Sequence, residues 1–254
     1  MFKLYLPEGL LFEPTVDLLK YAGYKVDQKN SPNVRIENLN VQTKLLKPKD
    51  APLLLCLGKA DLALVGSEMV REFLLTYPKA AGRLTMILDL PIKNTTLVLA
   101  IARQRFPLVT SLPEFLTQFR KSGQTQIVIS SQFPATTKSF LKKKGVTSAK
   151  FFSPAGLAAS WVLPPEPEAD LTSEVIENPR ELEEAGLNII EQIQENHAII
   201  IANRSAIEDA YQKSQIDDFA RELKRGLWRL KESQARLAGQ LPLPTFRPSP
   251  AWSR

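Results

Sequence analysis

Cysteine and histidine are almost absent from this sequence. Its 254 residues contain one cysteine, Cys56, and one histidine, His197. A disulfide within the chain is therefore excluded, and so is a zinc site built from several Cys and His ligands. A Ser-His-Asp triad would have to use His197, and nothing around this residue indicates one. His197 is therefore interpreted as a surface or strand-edge residue.

Long apolar runs are also missing. No segment approaches the roughly 20 consecutive apolar residues that a membrane-spanning helix needs. The opening segment MFKLYLPEGLLFEP has no basic stretch ahead of an apolar run, so no signal peptide is predicted. The sequence thus predicts a cytoplasmic protein without a membrane partner.

The net charge is +6, and most of the excess lies in the C-terminal fifth, where residues 204–254 carry ten Lys or Arg and six Asp or Glu. A basic tail can attract nucleic acid or an acidic partner. Here the acids interleave with the bases and aromatic residues are few. A solvated helix face is therefore favoured, and nucleic acid is not expected as a partner.

What is present is an alternation of strand-like and helix-like segments, in a chain with 44% hydrophobic and 24% charged residues. Strand candidates include LTMILDL (84–90), TTLVLAIA (95–102) and NHAIIIANR (196–204). This alternation predicts an α/β fold with mixed, mostly parallel sheets covered by helices. About nine strand candidates are many for one sheet, so two lobes are predicted, with ligands in the cleft at the carboxyl ends of strands.

The C-terminal region has a different pattern. Across residues 207–239, apolar side chains recur in steps of three and four, which predicts an amphipathic helix. This stripe has two interpretations: it packs on its own domain, or it pairs with a partner chain. Residues 240–254 contain four prolines and are predicted to be extended or disordered.

Several segments, in their order along about residues 3–204, resemble ATP phosphoribosyltransferase, the enzyme that opens histidine biosynthesis. The segments are LPEGLLFEPTVDLLKYAGY, KPKDAPLLLCLGKADLALVGSEMVREF, IVISSQFPATTKSFLKKKGV, DLTSEVIENPRELEEAGL and IIIANRSAI. Within them, Asp50, Pro52, Asp61, Gly66 and Glu72 keep the family's positions.

The resemblance implies a fold and a reaction. The fold is a pair of α/β lobes of the periplasmic-binding-protein type II kind, with residues 1–91 and 186–206 in the first lobe and 92–185 in the second. The reaction transfers ribose-5-phosphate from phosphoribosyl pyrophosphate (PRPP) to N1 of ATP, with Mg²⁺ on the pyrophosphate. Asp170 and Glu174 match the carboxylates beside the ribose hydroxyls and are the candidate catalytic residues. The alternative is that they are merely solvent-facing acids.

The resemblance also implies a partner. About 50 residues follow the matching region, which is too few for the family's usual regulatory domain. The chain therefore resembles the short form of the enzyme, which works with a separate regulatory subunit related to histidyl-tRNA synthetase. A homo-oligomer formed through residues 207–239 is the other expectation.

The phosphate loop departs from the family. The family has a Ser/Thr-Gly-x-Thr-Leu turn entering a helix, whereas this chain has Glu177, Asn178, Pro179, Arg180, Glu181 and Leu182. Pro179 stands at the Gly position, so one N–H donor is lost and φ is fixed. Two carboxylates beside a phosphate dianion repel it. We predict that phosphate no longer binds at this loop.

Other cleft positions change in the same direction. The candidate cleft residues are Glu8, Leu10, Asp50, Gly66, Ser67, Glu68, Ser131 and Trp161. Glu8 and Leu10 stand where the family has Lys and Arg, which turns an anion-binding cleft towards neutral or negative. Trp161 stands where a Glu is expected.

Three functions remain open at this point. The first is a divergent transferase that uses PRPP, ATP and Mg²⁺, with weakened or lost catalysis. The second is a non-catalytic regulatory or binding subunit. The third is a lobe pair that binds a less anionic small molecule. No metal site made of protein ligands is predicted.

Overall fold

A computed structural model describes residues 1–27 and 34–237 of the chain. The predicted Pro-rich segment 240–254 and the last two residues of the predicted helix 207–239 lie outside this range. The strands are β1 (Phe2–Pro7), β2 (Lys25–Asp27), β3 (Arg35–Glu37), β4 (Val41–Leu46), β5 (Leu62–Gly66), β6 (Leu84–Ala102), β7 (Ile127–Ser131), β8 (Ala149–Phe152), β9 (Leu171–Ile176) and β10 (Leu187–Asn203). The helices are α1 (Phe12–Tyr21), α2 (Ala51–Cys56), α3 (Ser67–Thr76), α4 (Leu112–Lys121), α5 (Pro134–Lys143), α6 (Arg180–Glu184), α7 (Arg204–Glu208) and α8 (Ala210–Leu237).

Eight strands form one mixed sheet in the order β4-β1-β5-β10-β6-β9-β7-β8, and β2 pairs with β3 separately. Strand β1 is parallel to β4 and β5, and β7 is parallel to β8 and β9. Strand β10 runs antiparallel to β5 and β6, and β6 antiparallel to β9. The predicted α/β class, with a mixed and mostly parallel sheet and an added C-terminal helix, is confirmed.

Two long antiparallel strands, β6 and β10, join the halves of the sheet. The sequence predicts two strands at 84–90 and 95–102, and the structure joins them into β6. Leu90 pairs with Ala198 and Thr95 with Asn196, so residues 91–94 have only His197 opposite them. We refer to residues 91–94 as the central bulge. Excess residues on one strand bend it and turn side chains out of the ladder.

Helices cover both faces of the sheet, and the buried apolar residues divide accordingly. Strand β5 is buried along its whole length, as expected for a strand covered on both sides. In the β4-β1-β5 half, one cluster packs under α1 and α8 and another under α2 and α3. In the β9-β7-β8 half, α4 and α5 cover one cluster, and α6 with the turn Ala158–Val162 covers the other.

The apolar stripe of α8 packs on its own chain. Ile216, Phe219, Leu223 and Leu230 are buried in the same cluster as the side chains of β1 and α1. The ring of Phe219 lies 5.7 Å from the ring of Phe2. Of the two interpretations of the stripe, packing within the domain is the one observed. No helix in the described part of the chain is long and apolar enough to cross a membrane.

Candidate functional site

A cavity of about 270 Å³ lies where the two halves of the sheet meet. Strand ends, helix starts and the central bulge all contribute to its wall. Its lining residues are Glu8, Leu10, Leu11, Pro48, Gly66, Glu68, Met69, Lys93, Thr95, Gln132, Phe133, Leu157, Glu174, Val175 and His197. Five of the candidate site residues therefore come together here, namely Glu8, Leu10, Gly66, Glu68 and Glu174.

Lys93 of the central bulge and His197, which lies opposite the bulge, line the cavity, and both side chains already have a carboxylate partner. The Lys93 ammonium contacts the Glu177 carboxylate. The Nε2 atom of His197 lies 2.7 Å from Oδ1 of Asp89, and the backbone N–H of His197 donates to the Ser67 hydroxyl at 3.2 Å. The Lys93 ammonium therefore cannot meet an anionic ligand without releasing the Glu177 carboxylate.

Glu174 projects from β9 into this cavity. Its Oε1 accepts a hydrogen bond from the Ala159 N–H at 2.5 Å. Burial raises the pKa of Glu174, and hydrogen bonds from the N–H groups of Ala159 and Ala158 offset part of that rise. The carboxylate is thus held in place by the turn Ala158–Val162.

Glu68 lies in the first turn of α3 and folds back over Gly66. A Cβ atom at position 66 would overlap its carboxylate, so a larger residue there would force the Glu68 side chain to move. Glu68 is 9% exposed. Burial raises its pKa, and its own backbone N–H offsets part of that rise.

The raised pKa of Glu68 leads to a pH-dependent stability prediction. The folded chain holds this proton better than the unfolded chain, so the group's stabilising contribution is complete below about pH 4.3 and is lost as pH rises through the raised value. At pH 7 we expect Glu68→Gln to melt roughly 2–4 °C above wild type, the shift that about 1 kcal/mol produces in a chain of this size.

Thermal unfolding at a series of pH values measures this effect. The gap between Glu68→Gln and wild type is expected to close as pH falls below about 4.3. Glu37→Gln, at an exposed position of β3, serves as the control and is expected to change little. A variant that melts below wild type at pH 7 would contradict the prediction.

Glu181 occupies two backbone hydrogen-bond donors of the loop at residues 177–182, which the sequence aligns with the family's phosphate loop. Its Oε1 accepts from the backbone N–H of Glu177 at 3.1 Å and of Asn178 at 2.8 Å. Oδ1 of Asn178 accepts from the N–H of Arg180 at 3.0 Å. Pro179 has no N–H to offer. The loop therefore binds a carboxylate of its own chain at the start of α6, where backbone donors attract negative charge.

Asp170 lies apart from Glu174, although both belong to the same segment. Its Oδ1 lies 3.3 Å from the Arg105 guanidinium, and its Oδ2 accepts from the Val128 N–H at 3.0 Å. It is absent from the cavity wall. The structure thus separates the two candidate catalytic carboxylates and gives Asp170 partners that tie β9 to its neighbours.

The remaining candidate cleft residues border the cavity or lie away from it. Asp50 ends the turn Pro48–Asp50, of which only Pro48 lines the wall. Ser131 is buried and shares a 2.5 Å hydrogen bond with the Ser173 hydroxyl. Trp161 packs edge-on against Phe152 at 5.4 Å, outside the lining. An apolar cleft centred on Trp161 is therefore not observed.

Glu72 joins the two halves of the molecule. Its carboxylate, on α3, accepts from the N–H groups of Ala135 and Thr136, both at 2.8 Å, and from the Thr136 hydroxyl at 2.7 Å. These donors belong to the first turn of α5, where N–H groups have no partner within the helix. Glu72 therefore caps a helix on the far side of the cavity.

Removing this cap is expected to destabilise the chain. Glu72→Ala should lower the free energy of unfolding by about 1–2 kcal/mol, because it strips the partner from helix-terminal donors. Urea denaturation measures the change. Arg71→Ala, at the exposed neighbouring position, is the control and is expected to stay within about 0.5 kcal/mol of wild type. If both variants lost the same free energy of unfolding, the Glu72 cap would not stabilise the protein more than an exposed neighbouring residue does.

The sequence pattern of one protein family, described as ATP phosphoribosyltransferase, matches residues 47–225, more than two thirds of the chain. This chain belongs to the ATP phosphoribosyltransferase family. An ATP phosphoribosyltransferase of Archaeoglobus fulgidus is 28% identical over 180 residues, covering 70% of this chain and 62% of its own length. One from Caldicellulosiruptor bescii is 28% identical over 229 residues, covering 89% of this chain and 98% of its own. The chain thus spans less than two thirds of one relative and nearly all of the other.

Solved structures agree on the fold of this ATP phosphoribosyltransferase family member. A chain of the ATP phosphoribosyl transferase (HisG:HisZ) complex from Thermotoga maritima superposes with a TM-score of 0.69 at 21% identity, covering 90% of this chain and 100% of that one. A Candida albicans protein with the generic periplasmic binding protein fold superposes at 0.58 and 13% identity, covering 93% and 73%. The predicted periplasmic-binding-protein-like architecture is confirmed.

Lys93 and His197 line the cavity but were not predicted from the sequence as cavity residues. Lys93 and His197 reach the wall through the central bulge, whose register depends on the pairing of distant strands. The signal available in the sequence was Pro91 between two apolar strand segments, since proline inside a strand marks a bulge or an edge.

Proposed function

We propose that this member of the ATP phosphoribosyltransferase family no longer binds PRPP and acts as a non-catalytic regulatory or binding subunit. The observation that carries the proposal is the Glu181 carboxylate hydrogen-bonded to the loop amides of Glu177 and Asn178. An anion is already seated where the family places the phosphate. The sugar phosphate would have to displace a covalently tethered competitor.

Electrostatics support the same conclusion. Glu8, Glu68 and Glu174 line the cavity, and Lys93 is neutralised by Glu177. Two like unit charges 4 Å apart repel by about 1 kcal/mol in water and roughly 4 kcal/mol at an effective dielectric of 20. PRPP carries a pyrophosphate and a 5-phosphate, so several such repulsions add up. In the family, Mg²⁺ is bound to the pyrophosphate of PRPP. If PRPP no longer binds, Mg²⁺ is not brought to the cavity either.

No group of three or more His, Cys, Asp or Glu within residues 1–27 and 34–237 is arranged to hold a metal ion.

A subunit role is supported by the Thermotoga maritima structure, which is a complex of two kinds of chain. In the present chain the apolar stripe of α8 is covered by α1 and β1. A regulatory partner would therefore contact another surface. We place this assembly, like the pathway of histidine biosynthesis to which the family belongs, in the cytoplasm.

Residual catalysis is the competing proposal, and Glu174 in the cavity favours it. One assay separates the two proposals: PRPP, ATP and Mg²⁺ are incubated with the chain, and phosphoribosyl-ATP is measured by mass spectrometry. The Caldicellulosiruptor bescii relative serves as the positive control. We expect no product above the enzyme-free background, and turnover that disappears in Glu174→Gln would support the transferase instead.

A further inference from the structure

The cavity combines an apolar wall with carboxylates that have no cationic partner. The carboxylates of Glu8, Glu68 and Glu174 face it, and no ion pair to any of them is present in the described part of the chain. The Lys93 ammonium in the wall contacts Glu177, and the His197 ring contacts Asp89, and neither carboxylate belongs to this set. The unpaired charge facing the cavity is therefore negative.

Glu68 is the most informative of the three. It lies in the cavity wall, is 9% exposed, and accepts a hydrogen bond from its own backbone N–H and from no other described residue. Burying an ionised carboxylate without a partner is costly, and proteins ordinarily pair such a group with a cation or neutralise it. A donor group on a bound ligand would supply such a partner.

The rest of the wall suits an apolar body. Leu11, Met69, Phe133 and Val175 line the cavity, and Leu10 and Leu157 stand at its mouth with 67% and 75% of their surfaces exposed. Large exposed apolar side chains around a concave site indicate a place for ligand contact. A volume of about 270 Å³ admits only a small molecule.

We propose that this cavity binds a small organic cation, a primary ammonium group attached to an apolar body. The ammonium group lies between Glu68 and Glu174 and donates to both, and the body packs on Met69 and Phe133. The proposal rests on the loss of PRPP binding, because the two ligands would share the same cavity.

A matched set of three probes tests the charge requirement. Phenethylamine, 2-phenylethanol and 3-phenylpropionate have similar apolar bodies and carry a positive, neutral and negative group at pH 7. Ligand-observed NMR with the full chain gives their dissociation constants. We expect phenethylamine to bind at least tenfold more tightly than 2-phenylethanol, and 3-phenylpropionate to show no binding.

Two variants tie the binding to the named carboxylates. Glu68→Gln and Glu174→Gln should each weaken phenethylamine binding at least tenfold, with Glu37→Gln unchanged as the matched control. Because Glu68→Gln is expected to be more stable than wild type at pH 7, its loss of binding cannot come from unfolding. Equal binding of the amine and the alcohol would overturn the proposal, and so would unchanged affinity in both variants.

The outcome is separable from that of the proposed function. If neither phenethylamine nor PRPP binds, the proposed organic-cation site is overturned and the proposed function stands. If PRPP binds at micromolar concentration, the proposed function is overturned, whatever phenethylamine does.

Discussion

Restoring the family's loop should restore PRPP binding. In a triple variant, Glu177→Ser, Pro179→Gly and Glu181→Thr, we expect a dissociation constant at least tenfold below the detection limit that applies to wild type, a gain of at least about 1.4 kcal/mol. Three causes act together. The amides of residues 177 and 178 lose the Glu181 carboxylate, glycine regains an N–H at position 179, and Lys93 is released from Glu177 to face the cavity.

Calorimetric titration with PRPP and Mg²⁺ measures the gain. The matched control is Glu183→Gln and Glu184→Gln together, on the same short helix, which remove two charges without freeing a loop amide. We expect no binding heat in wild type or in this control. A control variant that binds as well as the triple variant would mean that net charge alone governs binding, and the account of an occupied loop would be wrong.

Replacing Gly226 by alanine should detach α8 from the body of the protein. An added Cβ would lie 2.6 Å from the backbone N of Ala22 and 2.8 Å from its Cα. Backbone atoms cannot rotate away, so one helix must move. Alanine favours an isolated helix by about 1 kcal/mol over glycine, yet overpacking typically costs 1–3 kcal/mol. We expect a net loss of about 1 kcal/mol in the free energy of unfolding, since the overpacking cost exceeds the helix gain.

Urea denaturation and hydrogen exchange test this expectation. Exchange should accelerate along α8, whose Phe219 and Leu223 lose their packing. Lys224→Ala, on the exposed side of α8, is the control and should stay within about 0.5 kcal/mol of wild type. If Gly226→Ala were more stable than wild type, the close contact between α8 and α1 would be refuted.

Local patterns were enough to predict most of the fold. Strand β5 is a continuous apolar run, and α1 and α8 have apolar faces at helical spacing, so their type follows from periodicity. Two features of the fold could not be predicted from local sequence patterns. The union of 84–90 and 95–102 into β6 depends on pairing with β10, roughly 100 residues further on. The partner of α8 depends on Gly226 fitting against Ala22, and no local pattern states this.

The residues of the candidate site also divide into those that the sequence predicted and those that it did not. Glu8, Leu10, Gly66, Glu68 and Glu174 were expected in the cleft, and they line the cavity. Asp170 was grouped with Glu174 because both match the carboxylates that the family places beside the ribose hydroxyls. Its partner Arg105 lies 65 residues away in the chain, which no spacing rule reveals.

The role of Glu181 had a sequence signal that was read only in part. Glu181 was identified as a charge that repels phosphate. A glutamate three residues after Asn178 is also the capping-box pattern, in which the carboxylate reaches back to a backbone N–H. The structure shows only the glutamate half of this pattern: the N–H of Asn178 donates to Oε1 of Glu181, whereas Oδ1 of Asn178 accepts from the N–H of Arg180. The Glu181 side chain thus has both effects: its charge repels a phosphate, and its carboxylate occupies backbone N–H groups of the loop.

The most direct test of the occupied loop is a crystal of the wild-type chain soaked with millimolar PRPP and Mg²⁺. We predict that the Glu181 carboxylate stays within hydrogen-bond distance of the N–H groups of Glu177 and Asn178, with no phosphate density beside them. A phosphate seated on those two amides, with the Glu181 side chain turned away, would contradict the account.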